Sequence, residues 1–166
     1  MFVLFDFDGV IADSFQAAFE VNKLIRPSIT EDSYRKRFLG NINESDDEDN
    51  VLIDRRPQID FFTELKPRLM KSAIFAGMED AVSAIATTNT LIIISSTTTE
   101  LISAYLEMRG MRHLFNEILG NEVHTDKTEK IKMVFERYGV TAEQCVFVTD
   151  TVGDIREAAK IGRAHV

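Results

Sequence analysis

Tryptophan is absent from this 166-residue sequence, and cysteine occurs once, at Cys145. A lone thiol excludes an internal disulfide and suits a reducing compartment; on its own it reads as a small buried hydrophobe. Histidine is scarce, and His113 and His124 have no partner at metal-ligand spacing, so neither is assigned a role. Basic residues are in deficit, with 19 Lys and Arg against 27 Asp and Glu and a formal charge of -8. A chain of that sign lacks the positive field that nucleic acid or an anionic membrane requires, so neither is expected as a partner. Long apolar runs are missing too. The N-terminal run from Phe2 to Phe7 is broken by Asp6, which argues against a secretory leader or a membrane span and leaves the cytoplasm as the expected compartment.

What is present is globular composition, 45% apolar and 28% charged, enough to build one ordinary domain around a buried sheet. Met1 to Phe5 is continuously apolar, the pattern of a strand buried on both faces. Asp13 followed by Gln16 resembles a capping box, with Asp13 as N-cap of a helical stripe running to Pro27. After Gly77 helices and strands alternate: helix Glu79 to Ala86, strand Leu91 to Ile94, helix Glu100 to Arg109, strand Glu117 to Leu119, helix Glu129 to Tyr138 and strand Cys145 to Thr149. A second capping-box pair, Thr141 with Gln144, precedes the last of these. Such alternation predicts an α/β fold with a parallel sheet, right-handed crossovers and helices on both faces.

Between these parts the texture changes. From Ser28 to Ser72 the chain carries charged, helix-like pieces, Glu31 to Leu39 and Gln58 to Met70, on either side of an acidic loop, and reads as an inserted subdomain. The loop from Glu44 to Asp49 lacks the turn glycine of a calcium-binding loop, and Pro57 stands where its bidentate Glu belongs, so it is read as solvated. Arg35, Lys36, Arg37, Arg55 and Arg56 in this segment are read as surface charge.

In open parallel sheets ligands sit beyond the carboxyl ends of the strands, so the polar residues that end apolar strands are the candidates for chemistry. The first strand ends in Asp6 and Asp8, the second in Ser95 and Ser96; a loop before a helix offers Lys127; the last strand ends in Asp150, with Asp154 close behind. Two carboxylates at i and i+2 on extended chain point the same way and repel unless a cation lies between them. Mg²⁺ suits such a place, since it takes one or two carboxylates plus waters and a phosphate. An aspartate nucleophile would form an acyl-phosphate that water resolves. Asp8 is placed to protonate the leaving oxygen and then activate that water. Lys127 would neutralise phosphate charge, and Ser95 with the amides after it would hydrogen-bond it. Gly9 would turn the backbone sharply and offer its amide to the same oxygens. Lys130 and Lys132 compete with Lys127 for its role; the two that do not hold it are read as solvated helix face.

These residues resemble the haloacid dehalogenase-like (HAD) hydrolase superfamily, in its phosphoglycolate phosphatase and β-phosphoglucomutase branch. Asp6-Phe7-Asp8-Gly9-Val10-Ile11-Ala12-Asp13-Ser14 looks like the first motif, Leu91 to Ser96 the second, Lys127 the third, and Thr149-Asp150-Thr151-Val152-Gly153-Asp154 the fourth. The resemblance implies a Rossmann-like core (1–14 and 73–160) with a small helical cap (15–72). It implies catalytic residues Asp6, Asp8, Ser95 and Lys127, and substrate contacts from Gly9, Ser95, Ser96 and Lys127. Mg²⁺ would be held by Asp6, the Asp8 main chain and Asp150, with Asp154 in support. The substrate would be a small phosphorylated metabolite. Thr149 stands where the family often has glycine, and its side chain is expected to face away.

The resemblance also leads one to expect a further strand and helix at the C-terminus, read here as missing. Residues 161–166 match what one frame of a common sequencing adapter encodes and are read as a non-native tail. A phosphosugar mutase on the same residues, a phospho-receiver module and an inactive protein are the alternatives to a phosphatase.

Overall fold

The computed structural model describes residues 1–39 and 59–159. The acidic loop, Pro57, Arg55, Arg56 and the 161–166 tail lie outside them. Four parallel strands, β1 (Phe2–Phe5), β2 (Thr90–Ile94), β3 (Glu117–Leu119) and β4 (Cys145–Val148), form one sheet in the order β3-β2-β1-β4. The expected parallel α/β architecture is the observed one.

The continuous apolar runs place residues on both faces, because successive side chains alternate across a strand. Val3 and Phe5 of β1, with Leu91, Ile93 and Ile118, enter one core cluster. Leu4, Ile92, Ile94 and Leu119 enter the other. The first cluster is covered by α1 (Phe15–Ile25), α3 (Phe61–Leu69), α4 (Met78–Ala86) and α5 (Thr99–Met108), through residues such as Val21, Leu65, Val82, Ile102 and Tyr105. The second is covered by α6 (Lys127–Tyr138) and α7 (Val152–Ala159), through Ile131, Val134 and Ala158. Burying a sheet on two faces in this way supplies the main apolar stabilisation of the fold.

Between β1 and β2 the chain inserts α1, α2 (Glu31–Lys36), a 3-10 turn at Arg37–Leu39 and α3, before α4. An antiparallel bridge between Ala12 and Ile74 sets the two ends of this insertion side by side. Phe15, Phe19, Tyr34 and Phe38 form a local aromatic cluster, with centroid separations from 5.2 to 6.3 Å. The 3-10 turn lies against α7, so the insertion reaches across the carboxyl end of the sheet. No helix among the described residues is long and apolar enough to cross a membrane.

Two expectations about helix starts are corrected. Ser14, not Asp13, is the N-cap of α1, and it makes no side-chain cap bond, because its hydroxyl donates to Asp8 instead. Lys127 is not in a loop: Asp126 caps α6 by accepting the Thr128 amide, which brings Lys127 into the first turn.

Candidate active site

Register decides which polar residues meet. β1 pairs Phe5 with Ile93 of β2 and with Val148 of β4, so all three strands end level with one another. Asp6 continues the pairing with β4, its amide donating to the Val148 carbonyl at 2.8 Å, and the Ser95 amide does the same toward β3 through Leu119 at 3.1 Å. The residues that follow each strand therefore emerge along a single edge. Asp6, Asp8, Ser96, Lys127, Asp150 and Asp154 all face one cavity of about 490 Å³ there. Its opposite wall comes from the insertion, including Asn22, Tyr34, Arg37 and Phe61.

Asp6 is 4% exposed and both of its carboxylate oxygens are engaged. Oδ1 accepts the Phe7 amide at 2.7 Å, and Oδ2 accepts Lys127 Nζ at 2.7 Å. Lys127 donates equally to Asp154 Oδ2, also at 2.7 Å. One ammonium thus sits between two carboxylates, all three nearly out of water. Burial drives the Asp6 carboxyl well above the ordinary range, with Lys127 opposing it and Asp154 reinforcing it. Burial would lower Lys127, but Asp6 and Asp154 outweigh it and hold the ammonium charged. Burial also works to raise Asp154; Lys127 and the hydrogen bonds it receives prevail and lower it.

Asp8 is held by hydroxyls. Ser14 Oγ donates to its Oδ1 at 2.6 Å, Thr97 Oγ1 to its Oδ2 at 2.8 Å, and Ser95 Oγ to the same oxygen at 3.4 Å. Read from sequence, Ser14 has a place in the first motif but no role, and Thr97 has neither; serine and threonine flanking strand-end motifs are the signal that could have found them.

Several expected contacts are corrected. The Gly9 amide is not free to bind phosphate, because it donates to the Ala12 carbonyl at 2.9 Å. The sharp turn itself is present, with φ at +75°. Glycine is required there for a second reason: a Cβ would lie 2.0 Å from Asp150 Oδ2, so the carboxylate occupies the space a side chain would fill. Ser95 is fully buried and its hydroxyl accepts the Thr97 amide at 3.0 Å, while the Thr99 amide is taken by Glu122. Ser96 and Thr97, not Ser95, are the residues of that turn which line the cavity. Thr149 does not face away. Its hydroxyl donates to Asp154 Oδ2 at 2.6 Å and so helps hold that carboxylate.

The lysine question resolves by geometry. Lys127 is the one that meets Asp6, while Lys132 is exposed and pairs with Glu129. Lys130 contradicts its reading as solvated face, being 0% exposed with Nζ donating to the Ser95 carbonyl at 2.6 Å. Arg35 is exposed and pairs with Glu31, but both Arg35 and Arg37 line the cavity, and Arg37 donates to Asn22 Oδ1 at 3.0 Å.

Whether this donor set suits a divalent cation can be judged from its charge balance. Among the described residues no group of three or more His, Cys, Asp and Glu side chains stands at metal-ligand spacing. Asp154 accepts from Lys127 and Thr149, and Asp6 from the same Lys127 and the Phe7 amide. Desolvation raises the carboxyls of both Asp6 and Asp150, with Asp154 and Asp8 adding to the effect at Asp150. One buried carboxylate, Asp6, and one on an exposed residue, Asp150, on the same cavity, with Lys127 shared between Asp6 and Asp154, fit a cation that takes one or two carboxylates and completes its shell with water and phosphate.

A family model described as haloacid dehalogenase-like hydrolase matches residues 3–166. A phosphoglycolate phosphatase from Aliivibrio fischeri is 26% identical over 76 residues, 44% of this chain and 34% of that protein. The matched stretch spans about a third of that curated relative. Among solved structures, CbbY from Rhodobacter sphaeroides, in complex with phosphate, is similar with a TM-score of 0.70 at 17% identity, covering 97% of this chain and 82% of that one. The HAD-hydrolase YfnB from Bacillus subtilis, bound to magnesium, is similar with a TM-score of 0.69 at 19% identity, covering 97% and 85%.

Proposed function

Because the chain belongs to the haloacid dehalogenase-like hydrolase family, we propose that it is a magnesium-dependent phosphatase acting on a small phosphate monoester through a covalent aspartyl-phosphate on Asp6. The observation that carries this is the buried Asp6 carboxylate at the end of the central strand, fixed by Lys127 at 2.7 Å with Asp8 on the same cavity.

Asp6 attacks phosphorus, and the bond from phosphorus to the leaving oxygen breaks. Asp8, oriented by Ser14 and Thr97, gives that oxygen its proton. Water then attacks the acyl-phosphate, Asp8 takes a proton from it, and Asp6 leaves as carboxylate. Lys127 keeps positive charge beside the equatorial oxygens throughout, and Ser96 offers a hydroxyl from the other side of the cavity. Asp6, Asp150 and the Asp8 main chain would hold Mg²⁺, with Asp154 and Thr149 behind them. When bound, the ion neutralises phosphate charge and lets Asp6 ionise. Helices α1 to α3, within segment 15–72, serve as the cap whose Asn22, Tyr34 and Arg37 meet the organic part of the substrate.

Support for phosphate chemistry also comes from the relatives: the Aliivibrio protein is named as a phosphatase, CbbY was solved with phosphate and YfnB with magnesium. The test is turnover of p-nitrophenyl phosphate with and without Mg²⁺, followed by a phosphometabolite screen. Activity that needs the metal and vanishes in Asp6→Asn is the expected result; equal activity in Asp6→Asn rejects the assignment.

A further inference from the structure

Lys130 is the buried ionisable group that the proposed reaction leaves unused. It lies one turn along α6 from Lys127, is 0% exposed, and its two hydrogen-bond acceptors are both main-chain carbonyls, Ser95 at 2.6 Å and Gly120 at 3.4 Å. An ammonium buried on carbonyls rather than carboxylates is costly, so the fold gains little stability from it. What it does touch is the loop that orients Asp8. The Ser95 hydroxyl accepts the Thr97 amide, and the Thr97 hydroxyl donates to Asp8 Oδ2 at 2.8 Å. On the far side the same turn is stitched to the end of β3, with the Ser95 amide on the Leu119 carbonyl and the Asn121 amide on the Thr97 carbonyl, both at 3.1 Å. Lys130 closes this network from behind by holding Ser95 and Gly120 together.

We propose that Lys130 is a positioning residue: its ammonium pins the Ser95 and Gly120 carbonyls so that the Thr97 hydroxyl keeps the Asp8 carboxyl aimed at the leaving oxygen. The inference rests on the reading of Asp8 as acid and base in Asp6-centred phosphoryl transfer. No shorter or neutral side chain reproduces the clamp, since it needs several donors at the end of a four-carbon reach. A methionine would fill the space and leave both carbonyls buried without a donor.

The charged groups that face Lys130 are Lys127 on its own helix, Asp6 after β1, Glu122 after β3 and Asp154 on α7. Burial and then Lys127 bring its pKa down to about 8, against the pull of the three carboxylates. The clamp therefore loses its charge just above neutral pH.

Because Lys130 acts through Asp8, its removal should matter most when the leaving group needs a proton. The experiment compares wild type, Lys130→Met and Lys130→Arg on p-nitrophenyl phosphate, whose phenolate leaves unaided, and on glycerol phosphate, whose alkoxide does not. The quantity compared is kcat/KM, which reports the first half-reaction. Lys130→Met is expected to lose about 100-fold on the alkyl ester and under about tenfold on the aryl ester. Wild type should show an alkaline limb near pH 8 that is absent from Lys130→Met and displaced upward in Lys130→Arg. Equal losses on both esters with an unchanged limb mean that Lys130 only packs, and overturn the proposal. If Lys130→Met does not fold, the wild-type profile decides: a limb near pH 8, steeper in effect for the alkyl ester, supports the clamp, and a flat profile to pH 10 removes it. Wild type inactive on both esters instead overturns the phosphatase reading and the clamp with it, an outcome distinct from an active wild type indifferent to Lys130.

Discussion

At the carboxyl ends of the strands Asp6, Lys127 and Asp154 form ion pairs whose side chains are at most 10% exposed. In the inserted helices the pair Arg35–Glu31 is 59% and 53% exposed, and Arg68–Glu64 is 30% and 42% exposed. Both regions pair a basic side chain with an acidic one, Lys with Asp at the strand ends and Arg with Glu in the insertion. Water makes the difference: in the insertion it screens each pair to little net value, whereas at the strand ends each charge depends on its partner. The insertion is held instead by its aromatic cluster, and by the apolar faces α1 and α3 turn to the sheet. At the strand ends the charges depend on one another; in these two pairs of the insertion they are largely screened.

The contrast can be broken by removing one partner on each side. Lys127→Met leaves Asp6 and Asp154 buried without their cation and is expected to cost about 3–5 kcal/mol of stability in denaturant melts at neutral pH. A loss no larger than that of a surface substitution would mean the site is hydrated and the contrast is wrong. Gly9→Ala comes next. Its Cβ meets Asp150 Oδ2 at 2.0 Å in a backbone with φ at +75°, so about 1–3 kcal/mol of strain, together with a displaced Asp150 and weakened magnesium binding by calorimetry, is expected.

The two lysines of α6 sharpen the contrast within one helix, because their pKa values move in opposite directions. Lys127 is raised above 10.5, so its contribution is complete below that value and is lost only as pH climbs through the folded pKa. Lys130 is lowered to about 8 from 10.5, so between these values the unfolded chain binds more protons and stability rises with pH. Denaturant melts of wild type against Lys130→Met at pH 7 and pH 10 should show the difference moving in favour of wild type by roughly 2 kcal/mol. No movement would place Lys130 in water. The smallest effect is expected in the insertion: Arg35→Ala removes an exposed ion pair and a guanidinium 4.1 Å from the Phe15 ring centroid, and should change stability by less than about 1 kcal/mol. A larger loss would show that the surface pairs carry weight.

Sequence made the sheet legible because continuous apolar runs have few alternatives to a strand buried on two faces, and β3 was bounded correctly at Glu117–Leu119. Asp6, Asp8, Lys127, Asp150 and Asp154 were visible for a related reason: polar residues that end parallel strands must share an edge. Their hydrogen-bond partners were not visible. Thr149 and Ser14 each have ordinary alternatives, a turned-out side chain or a helix cap, and only the fold shows that Asp154 and Asp8 claim them. Lys130 was misread because lysine is rarely buried. Yet it stands with Lys127, Ile131 and Val134 at i, i+3, i+4 and i+7 spacing on the buried stripe of α6, and that periodicity was readable. Gly9 shows the opposite limit: its turn follows from the residue type, but the use of its amide by Ala12 depends on the path of the chain beyond it.

The most direct trial of the central claim is to quench the enzyme during turnover with magnesium and an alkyl phosphate, and to locate any phosphoryl group by mass spectrometry of its peptides. The account predicts an acid-stable, alkali-labile phosphoryl group on Asp6, formed only with the metal and absent from Asp6→Asn. A phosphoryl group on another residue, or full turnover by Asp6→Asn, would contradict it.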